Sequence, residues 1–176
     1  MTATEYIVLV DADDRETGTA EKLAAHQHNQ LHRAFSVFIF RNKPCLELLL
    51  QQRAQKKYHC GGLWTNTCCS HPHPGENIIA AGMRRLEQEL GFNAPLRDLG
   101  WFHYNAHFAN GLSENEIDHV LIGEVDETVE PQANPEEVQA LRWVTIEALE
   151  QELAATPERF TPWLGQALEI IKSRQA

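Results

Sequence analysis

From His32 to Phe40 the chain reads H-R-A-F-S-V-F-I-F. It alternates at first and is then apolar throughout, which predicts a strand entering a core. An Asn42–Pro44 turn signal separates it from Leu46–Gln52 (L-E-L-L-L-Q-Q), and the two runs predict a hairpin. Tyr6–Val10 predicts a short buried strand, with a turn at D-A-D-D after it. Gly100–Phe108 and Glu116–Val125 predict longer strands, and Leu141–Val144 a short one. Between Asn77 and Leu90 the period changes. Ile79, Met83, Leu86 and Leu90 recur at +4, +3 and +4, one apolar stripe of a helix, and Gly91 follows at a C-cap position. Thr145–Leu153 and Pro162–Lys172 predict two more helices, the second with Thr161 as N-cap and Pro162 in its first turn. Gln55–Gly62 and Pro72–Gly75 read as loops. With no repeat, low-complexity run or linker, residues 1–176 predict one mixed α/β domain.

Composition narrows the class. Hydrophobic residues make up 43% and charged residues 23% of the 176, which excludes a disordered or fibrous chain. The formal net charge of −10 argues against nucleic acid and anionic membrane surfaces as partners, while leaving room for a local basic pocket. No stretch approaches the roughly 20 apolar residues of a membrane span. The start M-T-A-T-E-Y lacks the features of a signal peptide, so a cytoplasmic protein is expected. In that compartment Cys45, Cys60, Cys68 and Cys69 should be free thiols, and their spacing fits no C-x-x-C pattern.

Nine histidines are many for this length. His26 and His32 bracket a strand entry, His71 follows Cys69-Ser70, and Glu114 and Glu116 lie two apart, on one face of a strand. Nitrogen and carboxylate donors together suit a divalent transition metal, although spacing alone does not separate this set from unrelated surface residues. His28, His59, His73, His103, His107 and His119 read as surface or structural. Cys69 lies in a polar loop between Trp64 and the Asn77 helix. It reads equally as a buried small hydrophobe or as a thiol able to act as acid, base or nucleophile.

Residues 70–92 resemble a degenerate Nudix box, G-x5-E-x7-R-E-U-x-E-E-x-G-U with U apolar. Ser70 takes the first glycine position. Glu76, Arg84, Leu86, Glu89, Gly91 and Phe92 match, and Arg85 and Gln88 replace two glutamates. Losing two carboxylates should weaken multi-metal hydrolysis. One carboxylate, Glu89, for one Mg²⁺ and a cation, Arg85, a turn away for phosphate read as gripping a diphosphate without cleaving it.

Four blocks in order complete a resemblance to the type I isopentenyl diphosphate isomerases. They are A-A-H-Q-H-N-Q-L-H-R-A-F-S (24–36), R-A-Q-K-K-Y-H-C-G-G-L-W-T-N-T-C-C-S-H-P-H-P-G-E (53–76), R-R-L-E-Q-E-L-G (84–91) and S-E-N-E (113–116). The resemblance implies a Nudix-like α/β/α sandwich with a mixed sheet. It implies a Mn²⁺ or Zn²⁺ site on His26, His32, His71, Glu114 and Glu116, and a catalytic pair Cys69 and Glu116 with Tyr104 nearby. Mg²⁺ would be held by the Glu89 carboxylate and the Cys69 backbone carbonyl. Substrate contacts would fall on Arg53, Lys57 and Arg85, and an aromatic residue near the reacting carbons on Trp163, with Trp64 the less exposed-looking alternative. The small-molecule substrate would be isopentenyl diphosphate, converted to dimethylallyl diphosphate, with no nucleic acid or membrane partner; monomer and homodimer both stay open. The chain departs from the family in the Gly61-Gly62 pair, where proline-glycine is usual, and in Cys60, where an aromatic is common. A more flexible loop is expected there. A Nudix-type diphosphate hydrolase and a noncatalytic metal-binding domain are the rivals.

Overall fold

The computed structural model describes residues 3–42, 44–57 and 59–175, so Lys43 in the Asn42–Pro44 turn lies outside the described residues. The strands are β1 (Tyr6–Val10), β2 (Glu16–Glu21), β3 (His32–Asn42), β4 (Leu46–Arg53), β5 (Trp64–Thr65), β6 (Cys68–Ser70), β7 (Arg97–His107), β8 (Ser113–Glu124) and β9 (Val138–Val144). The helices are α1 (Lys22–Gln27), α2 (Ile78–Leu90), α3 (Ile146–Ala155) and α4 (Leu164–Gln175).

The predicted hairpin forms, with Phe40 opposite Leu48. β3 is the organising strand. Along one edge it runs parallel to β8, from His32 beside Glu116 to Phe40 beside Glu124. Along the other it meets β1, β6 and β4 in turn. Its continuous apolar run follows from burial on both faces, as in the centre of a parallel pair. On one face Phe35, Val37, Ile39 and Leu121 pack against Ala81, Leu86 and Leu90 of α2. On the other, Phe38, Phe40, Leu48, Leu50 and Val120 pack against Leu149 of α3 and Leu164, Leu168 and Ile171 of α4. The result is helix, mixed sheet, helix.

Helix α2 begins and ends at the predicted residues. Asn77 caps it by accepting hydrogen bonds from the Ile79 and Ala80 amides, and Gly91 closes it at φ +68°, a left-handed conformation that costs glycine little. Its buried face also includes Glu89. Helix α4 starts at Leu164, later than predicted, because the Thr161 hydroxyl is paired with Thr65 at 2.8 Å and is drawn to the sheet. β8 starts at Ser113, three residues early, since its polar beginning pairs with β7. β2 and α1 were not predicted at all. Neither carries an apolar period, and Glu21 caps α1 through the Leu23 and Ala24 amides. In the loop after β4 the backbone folds closely on itself at Gly61, where a Cβ would lie 2.5 Å from the Gln55 carbonyl oxygen.

Candidate active site

The register of β3 against β8 sets one side chain beside another. Because His32 pairs with Glu116 and Ala34 with Asp118, the even-numbered positions of both strands face the same side. Tyr104 on β7 lies opposite Glu116, and Cys69 on β6 lies opposite Ser36. A pocket opens there, lined by Ser36, Arg53, Lys57, His59, Cys69, His71, Arg85, Glu114, Glu116, Asp118 and Trp163, among others.

His26 from α1, His32 from β3, His71 after β6 and Glu116 from β8 each bring one donor atom to within 4.8 Å of the others. Their orientation is fixed from behind. His26 Nδ1 bonds the Lys22 carbonyl at 2.7 Å, and His32 Nδ1 the Gln30 carbonyl at 2.8 Å. A carbonyl only accepts, so both Nδ1 atoms carry the hydrogen and both Nε2 atoms are left as donors to an ion. His32 and His71 turn Nε2 to Glu116 Oε1 at 3.4 and 3.3 Å. Burial pushes the His71 imidazole down to about 3, against the pull of Glu116, so it is neutral, the form that binds metal. Burial also raises the Glu116 carboxyl, but hydrogen bonds from His32 and His71 overcome it and hold the group well below the usual carboxylate range. Three imidazoles clustered around an ionised carboxylate fit a divalent transition ion. Glu114 lines the same pocket but lies outside that four-donor group, paired instead with His59.

The Cys69 thiol donates to Asn66 Oδ1 at 3.2 Å and lies 3.8 Å from Ser36 Oγ. Burial, reinforced by the Asp118 charge, pushes it up to about 12, so it stays a thiol at neutral pH. Cys68 faces the opposite way into the α2 core. The Tyr104 ring meets Trp163 edge-on at 5.9 Å, and its buried hydroxyl has no hydrogen-bond partner among the described residues. Trp163 is the more buried of the two candidate tryptophans and lines the pocket; Trp64 is half-buried, under Arg142.

On the α2 side, Arg85 bonds Glu89 at 2.9 Å, as the one-turn spacing suggested, and Gln51 bonds the other oxygen of Glu89 at 3.2 Å. Arg85 also reaches Glu137 at 3.1 Å, and Lys57 pairs with the same carboxylate. Arg53 hydrogen-bonds the His59 carbonyl at 3.4 Å and lies 5.9 Å from the Trp163 ring. Glu76 is held by Arg84 at 2.8 and 3.0 Å, on the outer side of α2.

Sequence reasoning missed several members of this site. Asp118 continues the two-residue step of Glu114 and Glu116, which was the available signal. Asn66 lies within the W-T-N-T string, whose side-chain bonds leave no pattern along the chain. His59, whose sequence context suggests a surface or structural residue, is buried in the pocket wall. Glu137 comes from a distant loop and left no local signal.

The NUDIX domain model matches residues 30–164. An Isopentenyl-diphosphate Delta-isomerase of Serratia proteamaculans is 47% identical over 168 residues, 96% of this chain and 90% of that protein. One from Photobacterium profundum is 48% identical over 171 residues, covering 95% and 94%. Among solved structures, DR0079 from Deinococcus radiodurans superposes with TM-score 0.73 at 20% identity, covering 96% of this chain and 98% of that one. A MutT NUDIX hydrolase from Burkholderia pseudomallei gives 0.61 at 24%, covering 81% and 98%. At these identities the structures speak for the fold.

Proposed function

We infer the activity from one premise: the chain belongs to the isopentenyl-diphosphate Delta-isomerase family, built on a NUDIX domain. It isomerises isopentenyl diphosphate to dimethylallyl diphosphate. The alkene takes a proton at its terminal carbon, a tertiary carbocation forms, and a proton leaves C2. The double bond moves by one position with no net gain or loss of atoms.

The observation that carries the residue assignment is the convergence of a thiol and a carboxylate, Cys69 and Glu116, on one pocket that Arg53, Lys57 and Arg85 also line. The thiol form of Cys69 suits proton donation, and ionised Glu116 suits proton acceptance. Trp163 and Tyr104 form an aromatic wall. Their faces stabilise positive charge by about 1–2 kcal/mol when desolvated, and they keep out water that would trap the cation. The Tyr104 hydroxyl, lacking a partner among the described residues, is available to relay a proton beside Glu116. Arg53, Lys57 and Arg85 bind the diphosphate. For Lys57 and Arg85 this means exchanging Glu137 for phosphate oxygens.

Divalent-metal dependence goes with the family. His26, His32, His71, Glu114 and Glu116 would hold Mn²⁺ or Zn²⁺, and Glu89 with the Cys69 carbonyl would hold Mg²⁺. When bound, these ions fix Glu116, tune its proton affinity and neutralise diphosphate charge. Hydrolysis is disfavoured because Arg85 occupies a carboxylate position of the box and is tied to the Glu89 carboxylate. The test is incubation with isopentenyl diphosphate, Mg²⁺ and either Mn²⁺ or Zn²⁺, followed by NMR for dimethylallyl diphosphate. Phosphate release from a nucleoside diphosphate panel without that product would overturn the reading.

A further inference from the structure

His59 sits in the wall of the pocket, with 8% of its side chain exposed against 6% for Glu114, and the two are paired through Nε2 and Oε1. Its position is built from three sides. The ring stacks on Phe108 with centroids 5.1 Å apart and planes at 21°. It lies 6.1 Å from the His26 ring, at 26°. Its carbonyl accepts a hydrogen bond from Arg53, and the loop that carries it turns at Cys60, φ +56°, and Gly61, where a side chain has no room.

Glu114 and Glu116 share one face of β8, yet only Glu116 has a donor atom inside the group formed with the three histidines. A carboxylate has two oxygens. His59 engages one of them, which stops rotation of the group and leaves the other for an ion. We propose that His59 is a positioning residue of the metal centre: its ring N–H fixes the Glu114 carboxylate so that the second oxygen completes the site. This rests on the metal reading given above. Hydrogen-bond partners of metal ligands commonly set metal affinity by about 10–100-fold. His59 does the same for the Glu114 carboxylate, whereas the backbone carbonyls of Lys22 and Gln30 restrain His26 and His32.

The test uses the purified full chain, stripped with a chelator and titrated with Mn²⁺ or Zn²⁺ against a chromophoric competitor, with the Mn²⁺ EPR spectrum as a second readout. His59→Phe keeps the stack on Phe108 and loses the N–H; it should bind about 10–100-fold more weakly, with a changed EPR spectrum. His59→Gln keeps a donor and should stay near the wild-type affinity. Phe108→Leu removes the stacking partner, leaves the hydrogen bond, and should also bind as the wild type does. Unchanged affinity in His59→Phe overturns the proposal. So does an equal loss in His59→Phe and Phe108→Leu, which would assign the effect to loop packing. If His32→Ala binds as tightly as the wild type, the metal reading itself fails. If His32→Ala loses the ion and His59→Phe does not, only the role of His59 fails.

Discussion

Asn66 joins Cys69 to the aromatic wall through a single amide. Its Nδ2 donates to the Val37 and Cys68 carbonyls at 3.1 and 2.9 Å, which fixes which way the amide faces. Its Oδ1 then accepts from Thr65 Oγ1, Cys69 Sγ and Trp163 Nε1 at 2.8, 3.2 and 3.1 Å. Asn66→Ala leaves these buried donors without their shared acceptor. Each costs about 1–3 kcal/mol where no other acceptor replaces Asn66, so urea denaturation should show a clear loss of stability. The same variant should lose kcat, because the thiol and the indole lose a common anchor. Cys69→Ala separates chemistry from folding. It should melt near the wild-type temperature and lose about 10²–10⁴-fold in kcat, the usual contribution of a positioned proton donor. Full activity in that variant would remove Cys69 from the reaction. At this scale the sequence was informative for the W-T-N-T-C-C-S-H-P string and silent about the bonds inside it. Hydrogen bonds between residues 66 and 163 do not show in a one-dimensional pattern.

Elements bring these residues together by register and by termini. The parallel pairing of β3 with β8 puts His32 beside Glu116, and a one-residue slip would turn both away from each other's face. Helix α2 delivers Arg85 to the pocket, held by Glu89 one turn on, and the helix C-terminus is tied down from outside. The Leu90 and Glu89 carbonyls accept from the Gln132 and Asn134 amides at 2.8 Å, anchoring the chain that leads to Glu137. Gly91 makes that closure possible at φ +68°. Gly91→Ala should therefore cost about 1–2 kcal/mol, read as a lowered urea midpoint, with isomerase activity retained below the transition. The α2 periodicity was legible because an apolar stripe on a surface helix is a local property. β2 and α1 were not. Their polar residues are held by caps and by pairing with β1, and His26 reaches the site only through that packing.

Outside the pocket one imidazole ties β7, β8 and the β1–β2 turn together. His119 on β8 bonds Asp98 on β7 through Nδ1 and Asp14 in the β1–β2 turn through Nε2, both at 2.7 Å, and Arg33 holds the same Asp14 at 2.8 Å. Burial lowers the His119 affinity for a proton, but the two carboxylates outweigh it and raise it above the ordinary histidine value. A raised folded-state value means that this clamp stabilises fully below the unfolded histidine range, about 6.5, and fades as pH rises through the folded value. Stability above pH about 6.5 should thus fall with a slope of at most about 1.4 kcal/mol per pH unit from this group, and His119→Gln should flatten that part of the curve. Thermal melts across the pH range check it. An unflattened profile in the variant would exclude the clamp as its source. The sequence by itself determined the core strand β3, the helix α2 with both its caps, the degenerate Nudix box and the order of the blocks that mark the family. Periodicity, caps and motif strings are local, and local patterns are written along the chain. Only the tertiary structure decided that His59 belongs to the pocket, that Glu137 holds Lys57 and Arg85, and that Asn66 joins Cys69 to Trp163. Those contacts join residues that are far apart along the chain or on separate elements, and they exist once strand register and helix packing have set which faces meet.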